Sequence, residues 1–600
     1  MEGAAAVGVA PMPRDRSALP AKTRALAVDC GRCDISRLRV LDSLRCCLRW
    51  DQVPITLPRI VSLEVILMAN AAGCSRVRVR FVLRAVAVVM AATFSWTPSP
   101  ICALAVQFEA TSRSLEIRGA QAGDYFGRPI VCVDLDGDGC EDLVVGADRS
   151  TFTAPQRPTL YVFRGSRHYA SRDLIHLAVD QPDAVILGDT GSNNLASALA
   201  KGDVNDDGIP DLIMADSTMT ASGRVGAGIV YVLSGRPGFF GQAVYDLAAG
   251  HWSVRILGAV AGDDTGGRLM FGGMLSEGLA CGDVNNDGID DIAIGAHLAN
   301  SNSRTDSGKV MVVFGRTPFL PGTTIDLATQ ANVTILGNET YGELGTAIAV
   351  GDLNADGIAD LILGEEYGSV GTLTTEGKIF CLWGRASWPA TYNLLTTPAN
   401  LTINGRAVWD SLGAAVALAD INADGRADLL ATAPGWDPAG ASSVDFGAVY
   451  GFWGRASFPS VINLSAVSPD FLTTAPADDQ SIGDTLSVGD YDGDGRRDFL
   501  FSSRDGDRPG FNGEGRTFVI RGRNGFPAAI NLAAEDVDWI VNGGANNFQL
   551  GDTVASGDID GDGADEFMLA APFLDGSTGR LLVFDLTPIP ASATDWQLYE

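Results

Sequence analysis

The chain has 600 residues, 46% of them hydrophobic, with a formal net charge of −30. Residues 1–105 hold 14 Lys/Arg against 7 Asp/Glu, a net +7, and the remainder carries −37. Nucleic acids and anionic lipid surfaces are held by basic patches, so the acidic remainder excludes both as partners.

Residues 1–67 are arginine-rich and without pattern. The Cys30-Gly-Arg-Cys33 pair and the adjacent Cys46-Cys47 lack the second pair and spacing of a zinc site. Further on, Arg76, Arg78, Arg80 and Arg84 precede the apolar run Ala85–Phe94, and Ala103-Leu-Ala105 follows. A basic region, a short apolar run and an A-x-A site predict a secretory signal peptide over 68–105, cleaved after Ala105. Residues 1–67 then read as a non-native or disordered extension, and 106–600 as the mature domain. No later run of 18 apolar residues is present, so no membrane span is expected in the mature chain.

From Asp134 onward one nine-residue pattern, Asp-x-Asp/Asn-x-Asp-Gly-x-x-Asp/Glu, recurs seven times. First aspartates are separated by 69, 80, 69, 68, 70 and 68 residues, and a period of that size announces a repeat architecture. Each repeat reads alike. A glycine stands seven residues before the first Asp in five of them, at Gly127, Gly345, Gly413, Gly483 and Gly551. A short apolar strand enters the loop, and a second leaves it, as at Leu143-Val-Val and Leu361-Ile-Leu. A third strand follows, as at Val310–Phe314, often closing in Gly-Arg. A fourth, such as Thr334-Ile-Leu-Gly337, precedes the next loop. Short β-branched and aromatic strands bounded by glycine predict an all-β chain, and four strands per unit predict a seven-bladed β-propeller. The seventh repeat lacks a fourth strand, whereas Ser114–Gly119 precedes the first loop unpaired. The N-terminal strand is therefore expected to close the ring, which removes the open sheet edges.

Oxygen ligands at alternate positions around a glycine turn suit a hard cation, so each hairpin is expected to hold one structural Ca2+, up to seven in all. The candidate ligands at positions 1, 3, 5 and 9 are Asp134, Asp136, Asp138 and Asp142; Asp203, Asn205, Asp207 and Asp211; Asp283, Asn285, Asp287 and Asp291; Asp352, Asn354, Asp356 and Asp360; Asp420, Asn422, Asp424 and Asp428; Asp490, Asp492, Asp494 and Asp498; Asp558, Asp560, Asp562 and Glu566. Position 9 is expected to supply two oxygens. Position 3 is Asn in loops 2 to 5, and the lower ligand charge predicts weaker binding there than in loops 1, 6 and 7. EF-hands are excluded: position 12 is apolar (Val145, Met214, Leu363) and the flanks read as strand.

Phe126-Gly127, the acidic loop and Gly146-Ala147 together resemble the FG-GAP repeat of integrin α-subunit N-terminal domains, over roughly residues 107–590. The resemblance implies a seven-bladed propeller with calcium loops on one face, and adhesion or ligand binding on the other face or rim. Integrin α-chains typically carry the ion loop in only some blades, whereas all seven repeats carry it here.

No HExxH, GxSxG or phosphate loop is present, and the four histidines lie in distant segments, so no enzyme is expected and no catalytic or organic-cofactor residue is assigned. Glu365-Glu366 and Asp263-Asp264 read as solvated loop acids rather than a glycosidase pair. Trp409 and Trp436 fall in loops, where they either pack or stack on a sugar. Sequons stand at Asn332, Asn338, Asn400 and Asn463, the basis for expecting a glycoprotein. The expected role is a secreted adhesion or ligand-binding module, extracellular, at the cell surface or periplasmic, with an extracellular protein or glycan as partner. The alternatives are a lectin-like carbohydrate binder or a polysaccharide-active enzyme.

Overall fold

A computed structural model describes residues 66–68, 78–80, 106–109 and 114–586, apart from 148–156, 167–173, 193–194, 268–277, 370–374, 439–444, 475–480, 509 and 535–536. The chain divides into two units, residues 1–98 and 99–600. In the first, Ile66–Met68 and Arg78–Arg80 pair antiparallel. The apolar run Ala85–Phe94 and the A-x-A site at 103–105 lie outside the described residues.

The second unit is a seven-bladed β-propeller. Its first blade shows the design. Ile130–Val133, Asp142–Ala147, Thr159–Phe163 and Ala184–Leu187 pair antiparallel in sequence order. The second strand of every blade is six residues long and wholly buried, from Asp142–Ala147 round to Glu566–Ala571. It is flanked by strands on both edges and packed by neighbouring blades on both faces, so its residues are apolar in near-continuous runs, as seen at Leu143-Val-Val. Each innermost strand contacts those of its two neighbours, and that of the seventh blade contacts that of the first.

Each sheet holds five strands, not the four expected from the sequence. The fifth is three or four residues long, runs parallel to the fourth, and is donated by the next repeat. Val244–Asp246 of the second repeat thus lies on Ala184–Leu187 of the first blade. These donated strands alternate exposed and buried residues, as in Val244–Asp246. They read as loop in the sequence because three residues show too little periodicity.

The two ends of the chain supply what the seventh repeat lacks. Val106–Glu109 lies parallel to Trp539–Asn542 as the fifth strand of the sixth sheet. Leu115–Arg118 pairs antiparallel with Arg580–Phe584 as the fourth strand of the seventh, and Leu174–His176 of the first repeat adds to its outer side.

The glycine before each loop has a packing reason. Gly127 has φ 111°, and a Cβ there would stand 2.8 Å from Cβ of Ala570, in the second strand of the preceding blade. At Gly483 the same test meets Thr432 at 2.8 Å, and at Gly551 it meets Ser502 at 2.7 Å. One blade's glycine therefore docks on a small residue near the end of its neighbour's second strand. The two repeats without a glycine at this spacing solve the problem differently. Ala196 takes φ 63° in the second, and Gly266 (φ 94°) does so in the third, displaced by the insertion that lengthens that repeat.

Candidate functional site

Successive strands are antiparallel, so the seven acidic hairpins share one end of the ring. Each is built by its own side chains. The Oδ1 of Asp134 accepts from the Asp138 N–H (3.1 Å) and its Oδ2 from Gly139 N–H (2.9 Å). The same pair of bonds recurs at Asp203, Asp283, Asp352, Asp420, Asp490 and Asp558. Position 5 accepts from the N–H at position 7, as Asp138 does from Cys140 (3.0 Å). These are Asx-type turns, which explains Asp at positions 1 and 5 whatever else they hold.

Position 9 does more than the sequence suggests. Asp142 begins the buried second strand, and its Oδ2 accepts from Leu135 N–H at position 2 (2.9 Å). Its Oδ1 accepts from Gly165 N–H, just past the third strand (2.9 Å). The same latch joins Asp211 to Gly235, Asp291 to Gly315, Asp360 to Gly384, Asp428 to Gly454 and Asp498 to Gly522. Both oxygens thus carry a structural bond already. In loops 2 to 5 the position-3 amide donates to the same carboxylate, Asn354 Nδ2 to Asp360 Oδ1 at 3.0 Å for example. Burial pushes the position-9 acids up, Asp142 to about 8, Asp360 and Asp498 to about 7 and Glu566 to about 10, with neighbouring carboxylates adding to the shift.

A divalent cation fits these residues. Asp134, Asp136 and Asp142 bring carboxylate oxygens within 4.8 Å of one another, as do Asp490, Asp492 and Asp498, and Asp558, Asp560 and Asp562. Asp136 Oδ1 is buried with no hydrogen-bond partner. A buried carboxylate oxygen without a donor is costly, and a cation would remove that cost.

Comparison with known proteins agrees with the repeat pattern. The FG-GAP repeat profile matches residues 277–313, 344–380 and 412–452, in the third, fourth and fifth repeats. The chain carries FG-GAP repeats. The propeller is similar to phosphatidylinositol-glycan-specific phospholipase D of Rattus norvegicus, 31% identical over 156 residues, 26% of this chain and 18% of that protein. It is similar to the protein of the same name from Dictyostelium discoideum, 27% identical over 280 residues, 45% of this chain and 28% of that one. It also resembles integrin alpha-4 of Xenopus laevis, 32% identical over 188 residues, 31% and 16% of the two chains. The matches span less than a third of each relative's length.

The end of the FG-GAP propeller opposite the hairpins differs from blade to blade. Arg128 makes a two-bond pair with Asp552 (Nε–Oδ2 2.6 Å, Nη2–Oδ1 3.0 Å), joining the first and seventh repeats. Arg504 reaches Asp552 at 3.3 Å and Asp484 at 4.0 Å, and burial holds Asp484 well above the usual carboxylate range. Gly506 N–H closes a turn onto Ser503 O, so Arg504-Asp505-Gly506 is a turn. Glu365 and Glu366 are buried, not solvated. Asp263 is buried too, 3.6 Å from Lys309 Nζ. Neither carboxylate oxygen of Glu365 has a hydrogen-bond partner, and burial raises its pKa to about 8.

The two loop tryptophans separate. Trp436 is buried beneath the Arg406 guanidinium, 4.7 Å from its ring. Trp409, four residues before Gly413, is 62% exposed, and Tyr341, four residues before Gly345 of the preceding repeat, is 60% exposed. No helix of the described residues is long and apolar enough to cross a membrane.

Proposed function

We propose that this FG-GAP propeller is a secreted, calcium-stabilised adhesion or ligand-binding module whose ligand engages the end of the ring opposite the acidic hairpins. The side chains at positions 1, 3, 5 and 9 of each loop would hold the cation, which neutralises clustered carboxylates and pins the first and second strands together. The observation that carries the reading is the contrast between the ends. Seven hairpins repeat one acidic design, while the far end varies and exposes Tyr341 and Trp409 on adjacent connections. Exposed aromatic rings suit a protein hot spot or a sugar face. The resemblance to integrin alpha-4 supports an extracellular ligand. Secretion rests on the signal-like segment at 68–105 and calcium on the loop chemistry.

The test is binding of purified chain to extracellular-matrix proteins and to a glycan array, with calcium and with EGTA. Calcium-dependent binding that Trp409→Ala abolishes is expected. Binding that survives Tyr341→Ala and Trp409→Ala together would refute the assignment of the ligand end. A second reading follows from the relatives named phosphatidylinositol-glycan-specific phospholipase D, in which case the chain would act on a phosphatidylinositol-glycan. Hydrolysis of such a substrate by the purified chain would favour it, and no turnover is expected.

A further inference from the structure

Position 2 of each hairpin is held from two sides. It stands between two candidate ligands, positions 1 and 3. Its N–H donates to the position-9 carboxylate of its own loop at 2.9–3.2 Å in all seven. Its carbonyl is taken by the next blade. Leu135 O accepts from Arg236 N–H (2.8 Å), the residue after the latch glycine Gly235 of the second repeat. The same bond, at 2.8–3.2 Å, is made at six of the seven junctions. At the other, between loops 6 and 7, the corresponding donor Thr587 lies outside the described residues. There Asp490 N–H donates to Asp565 Oδ2 and Asp565 N–H to Asp490 O, both at 2.8 Å.

The side chain at position 2 makes the same crossing. It is at most 1% exposed in every loop. Leu135 shares a core cluster with Leu212 and Tyr231 of the second blade, and the Tyr491 ring lies 5.5 Å from that of Phe567 in the seventh. Two consecutive amides on each following blade complete the link. Gly235 N–H holds Asp211 of its own loop, and Arg236 N–H holds Leu135 of the loop before. A Cβ at any of the six latch glycines would stand 2.2–2.4 Å from the position-8 carbonyl oxygen of its own loop. Only glycine therefore lets this amide pair come so close to the hairpin.

A cation held by positions 1, 3 and 9 fixes the residue between the first two. Through its carbonyl and its buried side chain, that residue fixes the amide pair of the next blade, and with it the next position-9 carboxylate. The second ion then meets a loop already partly ordered, and freedom lost once is not lost again. We propose that position 2 couples each cation site to the next, so that calcium loads the ring cooperatively, neighbour to neighbour. This rests on the calcium reading given above. Coupling between two sites typically changes affinity about 5–150-fold, so adjacent loops should differ by about fivefold or more with their neighbour filled.

Native mass spectrometry of the chelator-stripped full chain at half-saturating calcium chloride tests this by counting ions per molecule. Molecules holding no ions or nearly all should outnumber those holding three or four, whereas independent sites fill through the intermediate counts. Hydrogen exchange resolved by hairpin then locates the coupling. Asp428→Asn removes a ligand charge from loop 5. It should raise the calcium needed to protect loops 4 and 6 about fivefold or more, and shift loop 1 by less. The junction between loops 4 and 5 isolates one link, because position 8 is alanine on both sides, Ala359 and Ala427. Arg455→Pro removes the N–H that Leu353 O accepts at 3.2 Å, while Arg455→Ala loses the same side chain and keeps the N–H. Loops 4 and 5 should gain protection together in the alanine variant and separately in the proline variant. Intermediate ion counts predominating in wild type, an Asp428→Asn effect confined to loop 5, or joint protection surviving in Arg455→Pro overturns the proposal while leaving calcium binding in place. A wild-type chain that binds no calcium overturns the underlying reading as well.

Discussion

The two ends of the ring are built under opposite constraints. At the hairpin end the same turn is made seven times, and each acid has the same backbone partners from blade to blade. At the far end a buried ion pair ties blade 1 to blade 7, a fully buried glutamate lies in blade 4, and a tryptophan sits beneath an arginine in blade 5. Where geometry is set by a local turn, the residues that make it must recur. Where connections only need to reach the next blade, side chains are free to diverge and to acquire a ligand. If the hairpins hold cations and the far end a ligand, as proposed, stability is concentrated at the uniform end and specificity at the irregular one.

Removing cations should give the largest effect and act at the hairpin end alone. A ligand at one hundred times its dissociation constant adds about 2.7 kcal/mol per site, so several filled loops together outweigh any single side chain. Thermal melts in millimolar calcium and in excess EGTA should differ by well over ten degrees. Equal melting temperatures would erase the distinction between the ends.

The far end has its own structural anchor, and Arg128→Ala measures it. Asp552 is fully buried, and its carboxylate would keep only the longer contact from Arg504. Breaking a buried pair by removing one partner costs about 3–5 kcal/mol. The loss should appear in chemical denaturation with calcium present, and a loss below about 1 kcal/mol would mean that the pair is offset elsewhere.

The sequence is legible where chemistry is repeated. The seven loops, the buried second strands and the unpaired Ser114–Gly119 segment can all be read from spacing, because a turn or a buried strand leaves a local signature. The fifth strands were hidden, since three residues carry no period. The latch from position 9 to the glycine after the third strand was hidden for another reason: Asp142 and Gly165 stand 23 residues apart, and only the sheet brings them together. A recurring Gly after every third strand but the last was the available clue. The burial of Glu365 could not be inferred at all. A glutamate after an apolar strand resembles a loop acid until the connections covering it are known.

Glu365 offers a pH test confined to the far end. Its folded pKa, about 8, lies above the unfolded value, so the folded state binds the proton more tightly. Any stabilisation linked to this group is fully present below the unfolded pKa and lost as pH rises through about 8. Glu365→Gln should therefore flatten the fall in stability between pH 6 and 9 by about 1–3 kcal/mol, the range for a buried unsatisfied polar group. Measurement in saturating calcium holds the hairpin acids constant. An unchanged pH profile would show that the Lys378–Glu339 pair beside it has already absorbed the charge.

The smallest change in stability should come from the residue with the largest proposed effect on binding. Trp409 is 62% exposed, and its backbone lies in the left-handed region at φ 70°. Neither property favours tryptophan: the ring gains little from burial, and positive φ disfavours any side chain with a Cβ. Trp409→Ala should therefore alter folding by less than about 0.5 kcal/mol, and Trp409→Gly should raise stability by relieving the backbone. If either substitution destabilised the ring by 2 kcal/mol or more, Trp409 would be packing and the aromatic pair would lose its claim to a ligand. A variant that melts like wild type yet no longer binds would place recognition on the end where the blades differ, separate from the acidic hairpins.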